Sequence, residues 1–281
     1  MLAALSVLAV MSTAEVPVGT FTSRPFFFET NSHWIEGPEG LILIDTQFLP
    51  DVGILALEKA ERVTGKKVVL AVVLHPNPDK FNGAAALRAR GVRVITSEQV
   101  AAEIPAVHAL RKTWFFEKYS PDYPSDAPEI ERFGNVTQTV DAGGLTLEFH
   151  VFGVGCSRAH VVVEVDGAVF VGDLVSSGAH AWIELGLLPE WMETLDAVAQ
   201  LKPSRVFVGR GPSGGPELIA AQRAYLLAVW ERVRAEKPSE DPSPAVLAAL
   251  EADIEAAYPT YGYDAFTRIG LPEVWKRARG R

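Results

Sequence analysis

The feature that most constrains the fold is an alternation of β-branched apolar runs with amphipathic stretches. "KVVLAVVLH", residues 67–75, is a continuous apolar run, as expected of a strand buried on both faces of a sheet. Stretches with apolar residues at helical spacing flank it, at residues 51–65 and 82–91. This alternation predicts an α/β protein in which helices cover a sheet. With 281 residues, 48% of them hydrophobic, the chain can bury one large α/β core or two closely packed halves.

The same alternation returns in the second half of the chain. Four short strands are predicted from residue 137 onwards, and a helix, a strand and a long helix follow them. A further strand pair is predicted in the first half, within residues 24–47. Residues 105–135 are rich in aromatics and prolines, which favours an irregular rim or lid over core. We therefore expect a main domain over residues 16–237 and a C-terminal helical extension, residues 238–281, packed on it.

Charge and apolar runs narrow the choice of partners. The formal net charge is -9, which argues against a nucleic-acid partner, and no run after the N-terminus is long enough for an integral membrane segment. Residues 1–15 are apolar and end in small residues, as in a signal peptide, although no Lys or Arg begins them. They predict an exported protein, periplasmic or secreted. The alternative is a buried first segment of a cytoplasmic protein. No oligomeric state is indicated.

Polar residues follow the apolar runs at four places. They are the segments 75–80, 153–160, 172–173 and 209–211, each at the end of a predicted strand. Ligands commonly gather at strand ends in α/β proteins, so we expect these four segments to converge on one pocket.

The order of these segments resembles the metallo-β-lactamase superfamily, whose signature is HxHxDH after a buried strand, a GxGHT-type loop, GD and then GHG. The resemblance covers residues 26–216 and implies a four-layer αββα sandwich, α/β in class, with a zinc-dependent hydrolase activity. It also implies that Asp45, after the opening strand pair, braces the metal loop. The family places two zinc ions on seven ligand positions. Here the retained ligands are His75, Asp79 and Asp173, and the replacements are Asn77, Lys80, Cys156 and Arg210.

The replacements predict that the second zinc site is lost. It would consist of Asp79, Lys80, Asp173 and Arg210, and charged lysine and arginine offer no lone pair to a metal. We expect Lys80 and Arg210 to pair with Asp79 and Asp173, and so to supply the positive charge of the missing ion. A two-metal centre is not expected.

The first site keeps some capacity to bind a metal. The resemblance assigns it His75, Asn77, Cys156 and the bridging Asp173, of which imidazole, thiolate and carboxylate are good zinc ligands. Asn77 offers only a neutral carbonyl oxygen. His160 is a substitute ligand if its loop folds back, but we expect it to begin the next strand and to point elsewhere. At most one zinc or iron ion is expected.

Cys156 has two further interpretations. Lys80 and Arg158 are expected to lower the pKa of its thiol, which would make it a nucleophile with His75 or His160 as the proton acceptor. Otherwise it is a buried side chain that fills the volume of a histidine.

Ser157 lies within the polar segment 153–160, and His180 follows Asp173, where the resemblance implies that loops approach the pocket, so both are expected to line it. Three functions remain open. The first is a one-metal hydrolase acting on a small ester, lactone, thioester or amide, with Asp79 orienting or deprotonating water and Lys80 stabilising the oxyanion. The second is a metal-independent enzyme using Cys156. The third is a non-catalytic protein that binds a small anion through Lys80 and Arg210. True β-lactamase activity is not expected, because four of seven ligands are changed.

Overall fold

The structure is a computed structural model that describes residues 15–280. The predicted signal segment, residues 1–15, lies outside that range except for its last residue, so export stays a prediction. Among the helices of the described range, we find none with the length and apolar character needed to cross a membrane.

The first half of the chain forms one mixed sheet. Its strand order is β1-β2-β3-β4-β5-β6, antiparallel from β1 to β3 and parallel from β3 to β6. The strands are β1 (Val18–Thr22), β2 (Asn31–Glu36), β3 (Leu41–Ile44), β4 (Val68–Val72), β5 (Arg93–Thr96) and β6 (Glu131–Arg132). The helices between them are α1 (Pro50–Thr64), α2 (Pro78–Phe81), α3 (Ala84–Ala89) and α4 (Glu98–Tyr119), with a 3-10 turn at Pro25–Phe27.

The second half forms a second sheet and the remaining helices. Its order is β11-β10-β9-β8-β7, antiparallel except for the parallel β10–β11 pair. The strands are β7 (Gln138–Ala142), β8 (Leu145–Phe152), β9 (His160–Val165), β10 (Ala168–Ser176) and β11 (Arg205–Arg210). The helices are α5 (Leu188–Ala199), α6 (Glu217–Ala235), α7 (Pro244–Ala257) and α8 (Asp264–Arg279).

Side-chain alternation on the second sheet separates the two cores. Val161 and Val163 of β9 pack into the core shared with the first sheet and with α1, α3 and α4. Val162, between them, faces the opposite way and packs with α5, α6, α7 and α8. The layers are therefore helix, sheet, sheet and helix, and the predicted αββα sandwich is confirmed. Helices α7 and α8, which lie in the predicted C-terminal extension, pack on the second core, while the proposed domain boundary itself stays a prediction.

The expected break at Pro105 is wrong. Helix α4 begins at the cap Ser97, whose side chain accepts a hydrogen bond from the Val100 amide, and runs through Pro105 to Tyr119. The proline ring lies on an exposed face, while Ile104 and His108 on either side are buried against the body of the protein. Packing of this buried face outweighs the backbone bond that a proline removes.

Two polar side chains of β2 join the sheets. His33 donates from Nε2 to the Val208 carbonyl of β11 (2.9 Å) and accepts at Nδ1 from the Thr20 hydroxyl (2.9 Å). Asn31 donates its amide to the carbonyls of Val208 (3.1 Å) and Gly211 (2.9 Å). These bonds hold the end of β11 beside β2, and so place Arg210 next to the loop that follows β4.

Candidate active site

The four polar segments converge at one edge of the sandwich, but they are less loop-like than predicted. Asp79 and Lys80 lie in the one-turn helix α2. Asp173 lies inside β10, just after a bulge at Gly172, which has a φ of +57°. Arg210 is the last residue of β11. Placement on regular elements fixes these side chains more tightly than loops would.

Asp45 holds the segment that carries His75. Its carboxylate accepts a hydrogen bond from the Leu74 amide (2.9 Å), and its own amide donates to the Val72 carbonyl (2.8 Å). Its φ of +63° is a left-handed conformation that aspartate tolerates better than most residues. Burial raises the pKa of Asp45 to about 8, with Lys80 opposing the rise. The side chain thus braces the loop, as the resemblance implied.

Two cations and two carboxylates form a buried network. Lys80 Nζ lies 2.9 Å from Asp173 Oδ1 and 3.2 Å from Asp79 Oδ2. The Arg210 guanidinium contacts Asp173 Oδ2 through Nη1, and Asp79 Oδ2 through Nη2 at 2.5 Å. Thr30 also donates to Asp79 Oδ2 (2.8 Å). Each carboxylate therefore has both a lysine and an arginine, as the sequence predicted.

The network keeps its charges. Burial would raise the pKa of Asp173, but Arg210 and Lys80 outweigh it and hold that pKa well below its usual range. Burial would also raise the pKa of Asp79, but Lys80 and Arg210 outweigh it and lower that pKa. Burial would lower the pKa of Lys80, yet Asp173 and Asp79 raise it. Both carboxylates are thus ionised and already neutralised by the protein, so these residues do not fit a second metal ion.

Beside this network, three side chains of residue types that can ligate a metal face one another. One donor atom each from His75, Cys156 and His160 lies within 4.8 Å of the other two, and all three residues are buried. Cys156 Sγ lies 3.7 Å from His75 Nδ1 and 3.4 Å from His160 Nε2. We call these residues the donor trio. His160 does begin β9, but the expectation that its ring points elsewhere is wrong.

The donor trio fits a tetrahedral zinc ion. Zinc–sulfur and zinc–nitrogen bonds of about 2.3 and 2.1 Å put ligand atoms about 3.6 Å apart in a tetrahedron. The outer nitrogens are also engaged: His160 Nδ1 donates to the Gly153 carbonyl (3.1 Å), and His75 Nε2 lies 3.5 Å from Asp173 Oδ2. Such contacts orient the inner nitrogens of metal-bound histidines. Burial lowers the pKa of both histidines, that of His160 to about 3, so both rings are neutral and able to ligate.

The other predicted residues of the first site have different contacts. Asn77 Oδ1 accepts from the Ser157 hydroxyl (3.3 Å), and its Nδ2 lies 4.0 Å from Cys156 Sγ. Ser157 Oγ also lies 3.4 Å from His75 Nδ1. Both carboxylate oxygens of Asp173 contact cations. Its Oδ2 also lies 3.5 Å from His75 Nε2, so Asp173 supports the His75 ring. Its assignment as a metal ligand stays a prediction.

The prediction of a lowered thiol pKa is wrong. Burial and the Asp173 carboxylate raise the pKa of Cys156 well above its usual value, against the opposing effects of the Ser157 hydroxyl and Lys80. Arg158 is exposed, so it provides little of the expected field. The thiol is protonated at neutral pH, and it donates to a histidine unless a metal ion displaces its proton.

An aromatic pocket opens above the carboxylates. Its cavity volume is about 40 Å³, room for roughly three water molecules. Lys80 is fully buried and is absent from the pocket wall, which argues against a direct role on an oxyanion. His180 is also absent from this wall; its Nδ1 bonds the Tyr225 hydroxyl (2.9 Å) instead. The wall consists of Phe28, Phe48, Asn77, Pro78, Asp79, Arg111, Phe115, Asp173, Trp182, Arg210 and Phe266.

Sequence reasoning missed Arg111. Its guanidinium donates from both terminal nitrogens to the Glu184 carboxylate and lies 4.2 Å from the Trp114 ring centre. It is 4% exposed and lines the pocket. Nothing in the local sequence separates this arginine from the other charged residues of α4, because its partner lies 73 positions away.

Comparisons with known proteins agree with this fold. The family description "Metallo-beta-lactamase superfamily" matches residues 25–210. The metallo-beta-lactamase from Pontibacter korlensis has 21% identity and a TM-score of 0.56, over 76% of this chain and 99% of that one. The metallo-beta-lactamase FIM-1 from Pseudomonas aeruginosa, solved in a mono-zinc form, has 21% identity and a TM-score of 0.55, over 75% and 89%. No curated protein sequence matches significantly. The chain belongs to the metallo-beta-lactamase superfamily.

Proposed function

We propose that this protein is a hydrolase that uses a single metal ion, held by His75, Cys156 and His160, to cleave a small ester, lactone, thioester or amide. The observation that supports it is the donor trio, whose spacing suits a tetrahedral ion. Two imidazoles and one thiolate favour zinc over harder ions such as magnesium. The mono-zinc form of FIM-1 is a precedent for one ion in this fold.

The protein's own residues would position the substrate and water. Asp79 lines the pocket with its pKa lowered, so it is an ionised acceptor that orients a water molecule rather than a base that stores a proton. All the contacts found for its carboxylate within residues 15–280 are to Oδ2, which leaves Oδ1 for the pocket. A zinc ion at such a centre lowers the pKa of bound water and polarises a carbonyl group.

Arg210 and Lys80 would have separate tasks. Arg210 lines the pocket, where its guanidinium holds Asp79 and Asp173 in place and remains near a developing negative charge. Lys80 lies behind both carboxylates and neutralises them without reaching the substrate. This division replaces the electrostatic part of a second ion, but not its ability to hold a second water molecule.

Elemental analysis of purified protein tests the proposal. We expect about one zinc ion per chain in the wild type, and loss of that ion in Cys156→Ala and in His160→Ala. His150→Ala is the matched control. His150 lies between Glu148 and Glu164 in another group of metal-binding side chains, so this variant also reports adventitious surface binding.

Hydrolysis of a panel of esters, thioesters, lactones and amides should stop after chelation and return with added zinc. Absence of metal from the wild type, or loss of the ion only in His150→Ala, would show that the donor trio is not the metal centre. Turnover that persists after chelation but ends on thiol alkylation would instead assign the chemistry to Cys156.

A further inference from the structure

We propose that the substrate carries an aliphatic arm, which binds in a groove outside the aromatic pocket, between helices α4 and α8. This inference rests on the proposed function, since it names the class of molecule that the same site takes. The aromatic pocket is smaller than a typical ester or amide substrate. The pocket above the carboxylates has a cavity volume of about 40 Å³, so most of any ester or amide substrate must lie outside it.

A larger groove begins where the pocket ends. Its volume is about 550 Å³, and it shares Asn77 and Arg111 with the pocket wall. Cys156 and Ser157 line it, so the groove reaches the thiol of the donor trio. A substrate held with its reactive carbonyl at the donor trio can therefore place its remaining atoms along this groove without crossing a wall of protein.

Three large apolar side chains of this groove are exposed to solvent. Leu110 and Trp114 of α4 are 47% and 41% exposed, and Ile269 of α8 is 39% exposed. All three line the groove, together with the half-buried Val107 and Leu185. Large side chains at this exposure leave apolar surface in water. Their clustering on two helices beside the donor trio indicates an apolar ligand.

The charges around the groove favour a neutral arm. Glu184 is paired with Arg111, and Glu273 lies 2.5 Å from Lys276. Glu103 and Arg158 form no ion pair within residues 15–280, and they are of opposite sign. An anionic arm would gain Arg158 and face Glu103, so the groove offers no net preference for charge. Burial of CH₂ groups against the apolar side chains is then the main source of affinity.

Binding of neutral alkyl amides tests the inference without requiring turnover. The probes are butanamide, hexanamide and octanamide, titrated calorimetrically into the full chain as purified. We expect the dissociation constant to fall roughly twofold to fourfold for each added CH₂, the range from partial to full burial of that group. In the double variant Leu110→Ser/Ile269→Ser this dependence on chain length should flatten.

Leu227→Ser is the control. Leu227 lies on α6 with 40% exposure, close to that of Ile269, and it does not line the groove. Equal chain-length dependence in the wild type and the double variant would overturn the inference, as would its absence from the wild type. Self-association of the wild type that the double variant abolishes would also overturn it, by assigning the groove to a second copy of the chain. A protein without metal that still binds the amides would refute only the proposed function, while a zinc protein without amide binding would refute only this inference.

Discussion

At the scale of single residues, Lys80 shows how one buried cation can neutralise two buried carboxylates. Its ammonium is fully buried and lies within ion-pair distance of Asp79 and Asp173. A buried lysine is costly unless it is paired, and so are the carboxylates that it neutralises. The residues that neutralise the pocket floor do not fit a second metal ion, because neither Lys80 nor Arg210 offers it a lone pair.

Lys80→Met removes this charge while keeping most of the volume. Because Asp79 and Asp173 would then share only Arg210, we expect the free energy of unfolding to fall by about 3–5 kcal/mol, as measured by chemical denaturation. Lys67→Met is the matched control, since Lys67 also forms an ion pair, with Glu61 at 2.6 Å, but its side chain is 83% exposed. The control should be nearly as stable as the wild type. If Lys80→Met were also as stable, the replacement of metal by protein charge would be wrong.

At the scale of elements, the close pairing of β10 and β11 depends on a glycine beside Asp173. An added Cβ at Gly209 would lie 1.7 Å from Asp173 Oδ1 and 2.6 Å from the Gly172 carbonyl carbon. The parallel strands pair across this point, with Gly172 opposite Val208. The missing side chain therefore makes room for the carboxylate that holds Lys80 and Arg210.

Gly209→Ala should push Asp173 away from its two cations. We expect a loss of about 1–3 kcal/mol in the free energy of unfolding, the usual cost of overpacking. Gly262→Ala provides a control, because an added Cβ there meets no atom within 4 Å. Its stability should stay within about 0.5 kcal/mol of the wild type. Thermal denaturation of the two variants side by side decides the matter, and equal effects would mean that the close approach at Gly209 is relaxed at little cost.

At the scale of the whole molecule, buried groups link stability to pH in opposite directions. Burial lowers the pKa of His33 to about 4, so below about pH 6.5 the unfolded chain binds a proton that the folded protein does not. Stability from this group is lost as the pH falls from 6.5 towards 4. Burial raises the pKa of Asp45 to about 8, so the folded protein keeps a proton that the unfolded chain loses near pH 4. Stability from this group is lost as the pH rises towards 8.

Asp45→Asn isolates the contribution of the Asp45 proton, because it retains an oxygen to accept from the Leu74 amide but cannot titrate. Burial also lowers the pKa of His75 and His160, so the pH dependence of either protein alone is not that of one group. Between pH 6.5 and 8 we expect the free energy of unfolding of chelator-treated wild type, relative to that of Asp45→Asn, to fall with a slope of up to about 1.4 kcal/mol per pH unit, the value for one proton. Urea denaturation of both proteins at several pH values measures this difference, and a difference that is independent of pH would show that Asp45 is already ionised in the folded state.

Much of the architecture was predictable from local patterns. The β-branched run before His75 and the alternating strands after residue 137 predicted both sheets, because period and residue type report burial. The expected break at Pro105 was wrong because it relied on a local signal alone, the tendency of a proline to end a helix. Tertiary packing of Ile104 and His108 continues the helix there, and no local pattern reports that packing.

The sequence by itself determined the αββα class and the convergence of four polar segments, and it placed lysine and arginine, which cannot ligate a metal, at two of the polar positions. The tertiary structure alone decided the direction of His160 and the raised pKa of Cys156. It also brought Phe266 and Arg111 to one pocket from distant parts of the chain. The residue type decides whether a side chain can ligate a metal. Its orientation, its burial and its neighbours depend on contacts between residues far apart in sequence.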